Sequence, residues 1–95
     1  MVNVCVQLTV KHDGDVDKVR SLLAEHGRLS RQEPGCERFE AYHSQSDPGV
    51  FILCERWESP QALDVHRTAR GYTEIYQPQV LPLCDRVAHV GTLVE

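Results

Sequence analysis

The sequence lacks the features of membrane proteins and of nucleic-acid binding proteins. It has no apolar run of the roughly 20 residues that a membrane-spanning helix needs. Its 10 Lys and Arg residues form no cluster and are outnumbered by 14 Asp and Glu, so the basic face that releases counterions from nucleic acid is missing. Since the chain also runs from Met1 straight into strand-like sequence, we expect a soluble, cytoplasmic protein without a nucleic-acid or membrane partner.

The four cysteines show none of the short spacings that zinc sites use. There is no Cys-x-x-Cys pair, and each cysteine lies in a segment that we interpret as a strand or a helix end. We therefore interpret them as small buried hydrophobic residues in a reducing cell, and we predict no metal site. They are Cys5, Cys36, Cys54 and Cys84.

The length of the chain, 95 residues, corresponds to one domain spanning residues 1–95. A domain of this size has a thin core unless a partner chain extends it. There are no internal linkers, repeats or low-complexity tracts. A single domain that associates with other copies is therefore plausible from size alone.

Hydrophobic periodicity predicts the first half of the fold. Residues 2–11 alternate between apolar and other side chains, which is typical of a strand. After the turn at 13–15, which supplies an N-cap, apolar residues recur at helical spacing until Pro34-Gly35. Residues 37–45 and 50–58 then read as two antiparallel strands joined by the turn Asp47-Pro48-Gly49.

The second half begins with a helix start at Ser59-Pro60. The Ser59 hydroxyl caps the helix N-terminus, and Pro60 occupies the first helical position. This short helix runs through His66. A second helical piece around Tyr72 must end or bend near Pro78 and Pro82, and residues 85–94 form a last strand. The order β-α-β-β-α-β predicts an α+β, ferredoxin-like sandwich.

In this fold one sheet face packs on the helices and the other is left open. We interpret both faces of the first and third strands as too apolar to remain exposed to water. We therefore predict a homodimer in which two sheets pack face to face.

A carboxylate interrupts the apolar face of the third strand. Side chains repeat every two residues along a strand, so Glu55 shares one face with Leu53 and Trp57. It is either held in an ion pair with Arg38 or Arg56, because buried charges are nearly always paired, or it is part of a pocket wall.

Two histidines favour the pocket. His26 and His66 each fall on the apolar side of a predicted helix, where either one alone could be an ordinary core residue. Together with Glu55 they could transfer protons to and from a carbon acid or phenol, since burial raises the pKa of a carboxyl and imidazole titrates near neutrality. Trp57, Phe39 and Tyr72 could wall a planar ring, although Trp57 could equally be plain core.

These residues carry a resemblance to a known family. The segments Glu33-Pro34-Gly35-Cys36-Glu37-Arg38-Phe39 and Glu55-Arg56-Trp57-Glu58-Ser59, followed by Ala62-Leu63 and His66, resemble the antibiotic biosynthesis monooxygenase (ABM) family of the dimeric α+β barrel superfamily. The resemblance covers nearly the whole chain and implies the same dimeric fold. Members include cofactor-free monooxygenases of anthrones and quinols, haem-degrading monooxygenases, an isomerase of phosphorylated autoinducer-2, and proteins of no known activity.

The branches of the family differ at particular positions. Haem-degrading members use an asparagine and a histidine where this chain has Val6 and Tyr76, which disfavours that branch. The cofactor-free oxygenases resemble the chain at Trp57 and in their aromatic pocket, which implies deprotonation of a phenol or anthrone to a carbanion that reacts directly with dioxygen. The isomerase resembles it at His26, and at Glu55 with His66.

One segment departs from the pattern: Ala69-Arg70-Gly71-Tyr72 stands where related members often have a histidine. We nevertheless predict a cofactor-independent monooxygenase that oxidises a small aromatic, anthrone or quinol-like compound with dioxygen and needs no cofactor. The alternatives are a proton-shuttling isomerase and a non-catalytic small-ligand-binding module. The predicted catalytic residues are Glu55, as base or as orienting group, with His26 and His66; the predicted substrate-binding residues are Trp57, Tyr72, Phe39 and Arg38.

Overall fold

The computed structural model describes residues 1–95. The main elements in chain order are β1 (Val2–Val10), α1 (Val16–Ser30), β2 (Cys36–His43), β3 (Val50–Trp57), α2 (Pro60–His66), a π-helix (Gly71–Val80) and β4 (Cys84–Gly91). Short 3-10 turns at Asp13–Asp15 and Leu81–Leu83 precede α1 and β4.

The four strands form one antiparallel sheet in the order β2-β3-β1-β4. With one helical segment after β1 and another after β3, this is the predicted ferredoxin-like α+β fold. The two central strands, β1 and β3, carry the core face of the sheet. None of the helices has the length and apolar character required to span a bilayer.

The strict alternation in β1 and β3 places their side chains as predicted. On β3, Phe51, Leu53, Glu55 and Trp57 are all buried and the residues between them are not. On β1 the buried face comprises Val4, Val6, Leu8 and Val10. Helix α1 covers this face with Val19, Leu23 and His26, all of which are at most 1% exposed.

The two predicted helix caps differ in outcome. At α2 the prediction is confirmed: the Ser59 hydroxyl accepts a hydrogen bond from the Ala62 amide at 3.1 Å, and Pro60 occupies the first turn. At α1 the Asp15 side chain makes no capping bond, because the 3-10 turn before it already holds the backbone in a helical conformation.

The predicted end of the second helical piece near Pro78 and Pro82 is confirmed: the π-helix passes through Pro78 and ends at Val80, between the two prolines. In a π-helix each N–H donates to the carbonyl five residues earlier, and Pro78 has no N–H to give to that of Thr73. The side-chain amide of the next residue, Gln79, donates to the Glu74 carbonyl at 2.9 Å.

Strand β4 is shorter than predicted and ends at Gly91 rather than at Val94. Gly91 pairs with Asn3, near the start of β1, so the neighbouring strand offers almost no further partner. Beyond Cys84 every residue of β4 is exposed.

Candidate functional site

The site lies between the sheet and the helices, and α1, α2, the π-helix and all four strands contribute residues to it. Its centre is a small cavity of about 20 Å³, room for about one water molecule. The residues that line it are Val4, His26, Glu55, Leu63, His66, Arg67, Tyr72, Tyr76 and Arg86.

Glu55 is placed by the register of the central strands. Its partner on β1 is Val4 and its partner on β2 is Phe39, so the carboxylate stands between two apolar neighbours and is only 8% exposed. The indole Nε1 of Trp57 donates a hydrogen bond to its Oε1 at 3.0 Å. Burial raises the pKa of Glu55, while this hydrogen bond and the positive charges of Arg86 and Arg67 act in the opposite direction.

The ion pair to Arg38 or Arg56 that the sequence offered for Glu55 is not formed. Arg56 donates to Asn3 Oδ1 at 3.1 Å. Arg38 is exposed and pairs with Glu40 on the same edge strand. Of the two interpretations of Glu55, the ion pair is therefore not the one that the structure shows, because Arg38 pairs in register with Arg56 and lies on the opposite face of the sheet from Glu55.

His26 projects from α1 into the centre of the cluster and is 1% exposed. Its ring stacks on Tyr76 with a centroid separation of 4.8 Å and an interplanar angle of 16°, and it meets the edge of Phe39 at 5.0 Å. Burial, followed by the nearby His66 ring, lowers the pKa of His26 to about 3, and a backbone hydrogen bond with Gly71 acts in the opposite direction. The imidazole is thus neutral at pH 7.

His66, at the end of α2, is hydrogen-bonded to a residue far away in the sequence. Its Nδ1 lies 2.8 Å from Oε1 of Glu33, and its ring lies 4.3 Å from that of Trp57. Burial, and secondarily the charge of Arg67, lowers the pKa of His66 to about 4. Burial, and secondarily the charge of Glu55, raises the pKa of Glu33 to about 7.

A tight turn brings Glu33 to this position. Gly35 adopts a φ of +79°, and a Cβ there would stand only 2.6 Å from the Cβ of Ala62 on α2. The Gly35 carbonyl also accepts a hydrogen bond from the Glu58 amide at 2.8 Å. The turn is therefore packed directly on the helix that carries His66.

Two tyrosines of the π-helix close the cavity. Tyr76 is buried, and its hydroxyl accepts a hydrogen bond from Arg86 Nε at 2.9 Å; burial raises its pKa. Tyr72 is half-buried, and its ring meets that of His66 edge-on at 5.6 Å. Phe39 completes the aromatic wall at 6.4 Å from Trp57.

The structure thus brings together six of the seven residues predicted from the sequence. Arg38 is the exception: it lines a separate surface cleft of about 300 Å³ on the outer side of β2. Arg70, at the departure from the family pattern, is exposed and pairs with Glu74 at 2.7 Å.

Four further polar residues of the site were not predicted from the sequence: Glu33, Arg67, Tyr76 and Arg86. Tyr76 could have been found, because it follows Tyr72 by four residues and such residues share a helix face. Glu33 and Arg86 had no comparable pattern, since each contacts a residue of a different secondary-structure element, His66 of α2 and Tyr76 of the π-helix.

Chemically, the site offers two neutral imidazoles and two carboxyl groups of raised pKa behind aromatic walls. These are groups that exchange protons with a bound molecule. No three His, Cys, Asp or Glu side chains are arranged to hold a metal ion. A ligand the size of an aromatic ring is larger than this cavity, so the cavity must widen to bind it. Tyr72, whose side chain is half-buried, forms one wall of the cavity.

Comparison with known sequences identifies close similarity to one family. The model of the antibiotic biosynthesis monooxygenase family, ABM, matches residues 1–77. Rv0793 of Mycobacterium tuberculosis, which is provisionally named a monooxygenase, is 37% identical over 75 residues, which are 79% of this chain and 72% of the relative.

Solved structures give the same result for the fold. A crystal structure described as an antibiotic biosynthesis monooxygenase superposes with a TM-score of 0.91 at 29% identity, covering 100% of both chains. A variant of SnoaB from Streptomyces nogalater, described as a cofactor-independent oxygenase, superposes with a TM-score of 0.85 at 14% identity, over 99% of this chain and 93% of that one. At that identity the likeness to SnoaB concerns the fold alone.

Proposed function

The chain belongs to the antibiotic biosynthesis monooxygenase family, and from this membership we propose that it is a cofactor-independent monooxygenase of a small aromatic, anthrone or quinol-like compound. The observation that carries the proposal is the position of His66. Its imidazole lies against Trp57 at 4.3 Å and is hydrogen-bonded to Glu33. A neutral base beside a flat aromatic wall suits a planar substrate that must lose a proton.

In the proposed reaction a buried base removes a proton from an activated CH₂ or phenolic OH of the substrate. The resulting carbanion or phenolate is electron-rich enough to react directly with dioxygen. For a CH₂ group the balance is R₂CH₂ + O₂ → R₂C=O + H₂O, so the substrate supplies the electrons that reduce one oxygen atom to water. Glu55, His26 and His66 are the proposed proton-transferring groups, and Trp57, Tyr72 and Phe39 the groups that contact the ring.

Glu55 suits a catalytic role because it is buried without a cationic partner within hydrogen-bonding distance. Its one hydrogen bond, from Trp57, leaves the second carboxylate oxygen without a side-chain donor. Burial raises its pKa, and a raised pKa makes a carboxylate a stronger base. The name of SnoaB, a cofactor-independent oxygenase of the same fold, agrees with this chemistry.

The test is the uptake of dissolved oxygen by purified, metal-stripped protein against a panel of anthrones, naphthols and hydroquinones. We expect uptake above the rate of autoxidation, unchanged by removal of metals, with heat-denatured protein as the control. The absence of uptake with every compound, from protein shown to be folded, would contradict the proposal.

The second candidate is a proton-shuttling isomerase. The observation that favours it is the presence of two distinct carboxyl groups near the neutral His66: Glu33, which is hydrogen-bonded to it, and Glu55, which lines the same cavity. An isomerase needs one group to remove a proton and another to return it. Exchange of carbon-bound hydrogen for deuterium in sugar-phosphate-like ketones, followed by NMR, tests this activity. A ligand-binding module would instead bind compounds of the oxygen panel without converting them.

We propose further that the protein acts in the cytoplasm as a homodimer joined through the open face of the sheet. Ile52 and Val87 are 38% and 56% exposed there, and with Cys5 and His89 they line a shallow depression of about 250 Å³. Light scattering at micromolar concentration should give twice the mass of the chain. Val87→Glu should halve that mass, whereas Val65→Glu, at an exposed position on α2, should not. A wild-type mass of one chain would contradict the dimer.

A further inference from the structure

Glu33 and His66 form a buried pair that no local pattern explains. Glu33 lies in the turn before β2, and His66 is the last residue of α2. Their side chains are 12% and 3% exposed, and the contact joins Oε1 of the carboxyl to Nδ1 of the ring at 2.8 Å. His66 lines the central cavity. Nδ1 is the ring nitrogen that hydrogen-bonds to the protein, so Nε2 remains available to a ligand.

We infer that Glu33 is a positioning residue for His66: its carboxylate accepts the hydrogen bond of Nδ1–H, and this leaves Nε2 as the unprotonated nitrogen that takes a proton from the bound molecule. The inference rests on the proposed function, which it makes more specific. A neutral imidazole carries one N–H, and the partner of one nitrogen decides the state of the other. Once Nε2 has taken the proton, the adjacent carboxylate stabilises the imidazolium.

The direction of the hydrogen bond depends on the protonation of Glu33. As a carboxylate it accepts from Nδ1–H and Nε2 is a base. As a neutral acid it donates to Nδ1, so that the ring proton resides on Nε2, which then cannot accept one. Since the pKa of Glu33 is raised to about 7, the basic form of His66 should appear as the pH rises through neutrality.

Other titratable and charged groups lie around the pair. Glu55 accepts a hydrogen bond from Trp57, and its charge contributes to the raised pKa of Glu33 by repulsion. The others are His26 from α1, Arg31 after α1, Cys36 from β2, Glu58 after β3, Arg67 after α2, Tyr72 and Tyr76 from the π-helix, and Arg86 from β4. None of these donates to or accepts from the His66 ring.

The decisive measurement needs no substrate. Long-range ¹H–¹⁵N NMR spectra of ¹⁵N-labelled protein report which nitrogen of His66 carries the proton. In the wild type we expect the Nδ1–H tautomer at pH 8.5 and a shift toward Nε2–H as the pH falls to 6. In Glu33→Gln, which cannot ionise, the tautomer should not change over this range. A wild-type ring with Nε2–H at pH 8.5, or an identical pH response in the variant, would overturn the inference.

Kinetics supply the second readout, with any compound that the oxygen assay identifies. Glu33→Gln should lower kcat by roughly tenfold or more, change KM little, and abolish the rise of kcat with pH near neutrality. The matched control is Glu37→Gln, at an exposed glutamate of β2. It should retain the wild-type kcat and the rise of kcat with pH. In Glu33→Ala, added formate should restore part of the activity. An unchanged pH profile in Glu33→Gln would contradict the role.

The oxygen assay and the NMR measurement test the proposed function and the role of Glu33 separately. Absence of oxygen uptake contradicts the proposed oxygenase but leaves the NMR result intact. A wrong tautomer contradicts the role of Glu33 even if oxygen is consumed. Spectra of the folded variants also show whether a loss of activity reflects unfolding.

Discussion

Trp57 donates its indole N–H to the Glu55 carboxylate across 3.0 Å, and both side chains stand two residues apart on the buried face of β3. This bond gives the buried carboxylate a partner within its own strand. The role of Trp57 is therefore more than packing, because an apolar residue of similar size would leave Glu55 without its hydrogen bond.

Trp57→Phe should destabilise the fold by about 2–4 kcal/mol. The loss combines a hydrogen bond to a charged group, about 1.5–3 kcal/mol, with the volume lost from a fully buried side chain. Urea unfolding measures the change, and Tyr42→Phe, at an exposed tyrosine, is the control. A double-mutant cycle with Glu55→Leu isolates the hydrogen bond. Zero coupling energy between the two positions would show that the bond adds nothing.

Glu55→Gln should lower turnover by about a hundredfold or more with little loss of folding. The amide has nearly the same size as the carboxyl group and keeps an oxygen that can accept from Trp57. Oxygen uptake and urea unfolding are measured on the same preparation. Glu58→Gln, at an exposed position, should behave as the wild type. Full activity of Glu55→Gln would rule out its catalytic role.

His26→Phe should reduce the dependence of stability on pH in the acid range. The pKa of His26 is about 3 in the folded state, against an ordinary value of 6.5. Between these values the unfolded chain binds more protons, so the free energy of unfolding rises with pH, by up to about 1.4 kcal/mol per pH unit for one proton. This contribution to the free energy of unfolding levels off above pH 6.5.

Urea unfolding at a series of pH values from 3 to 7 measures this slope. His66 contributes in the same direction, with a pKa of about 4. Glu33 contributes with the opposite sign, because its raised pKa makes stability fall between about pH 4.5 and 7. His26→Phe should remove close to one proton from the slope, and Val65→Ala, at an exposed position without a titratable group, should leave the slope unchanged. A slope equal to that of the wild type in His26→Phe would contradict the prediction.

Gly35→Ala should destabilise the fold by roughly 2 kcal/mol or more. A non-glycine residue at a φ of +79° costs about 1–2 kcal/mol, and the new methyl would meet Ala62 Cβ at 2.6 Å. Gly14→Ala is the control, because no atom lies within 4 Å of a Cβ there. The variant should also disturb the contact of Glu33 with His66. If Gly35→Ala unfolded at the same urea concentration as the wild type, the turn would have relaxed without loss of stability and the prediction would be wrong.

Much of the fold could be predicted from the sequence because the patterns that specify it are local. Alternation along residues 2–10 and 50–57 determines which side chains face the core, and a strand has only two faces. The helix start at Ser59-Pro60 depends on its own next turn. Pro78 and Pro82 likewise predicted where the second helical piece ends, at Val80. Its π-helical form was not predicted, because a proline limits the extent of a helix without specifying its hydrogen-bond spacing.

The same distinction between local sequence patterns and tertiary contacts applies to the candidate site. Strand and helix periodicity by itself placed Glu55, Trp57, His26 and His66 on buried faces, since burial of a face is encoded every two or every three to four residues. Only the tertiary structure decided which groups meet. The pairing of Glu33 with His66 spans 33 residues and depends on how the Gly35 turn packs on α2. In the same way the sheet directs Arg38 outward and brings Arg86 to Tyr76. Periodicity specifies a direction for each side chain, and packing determines its partner.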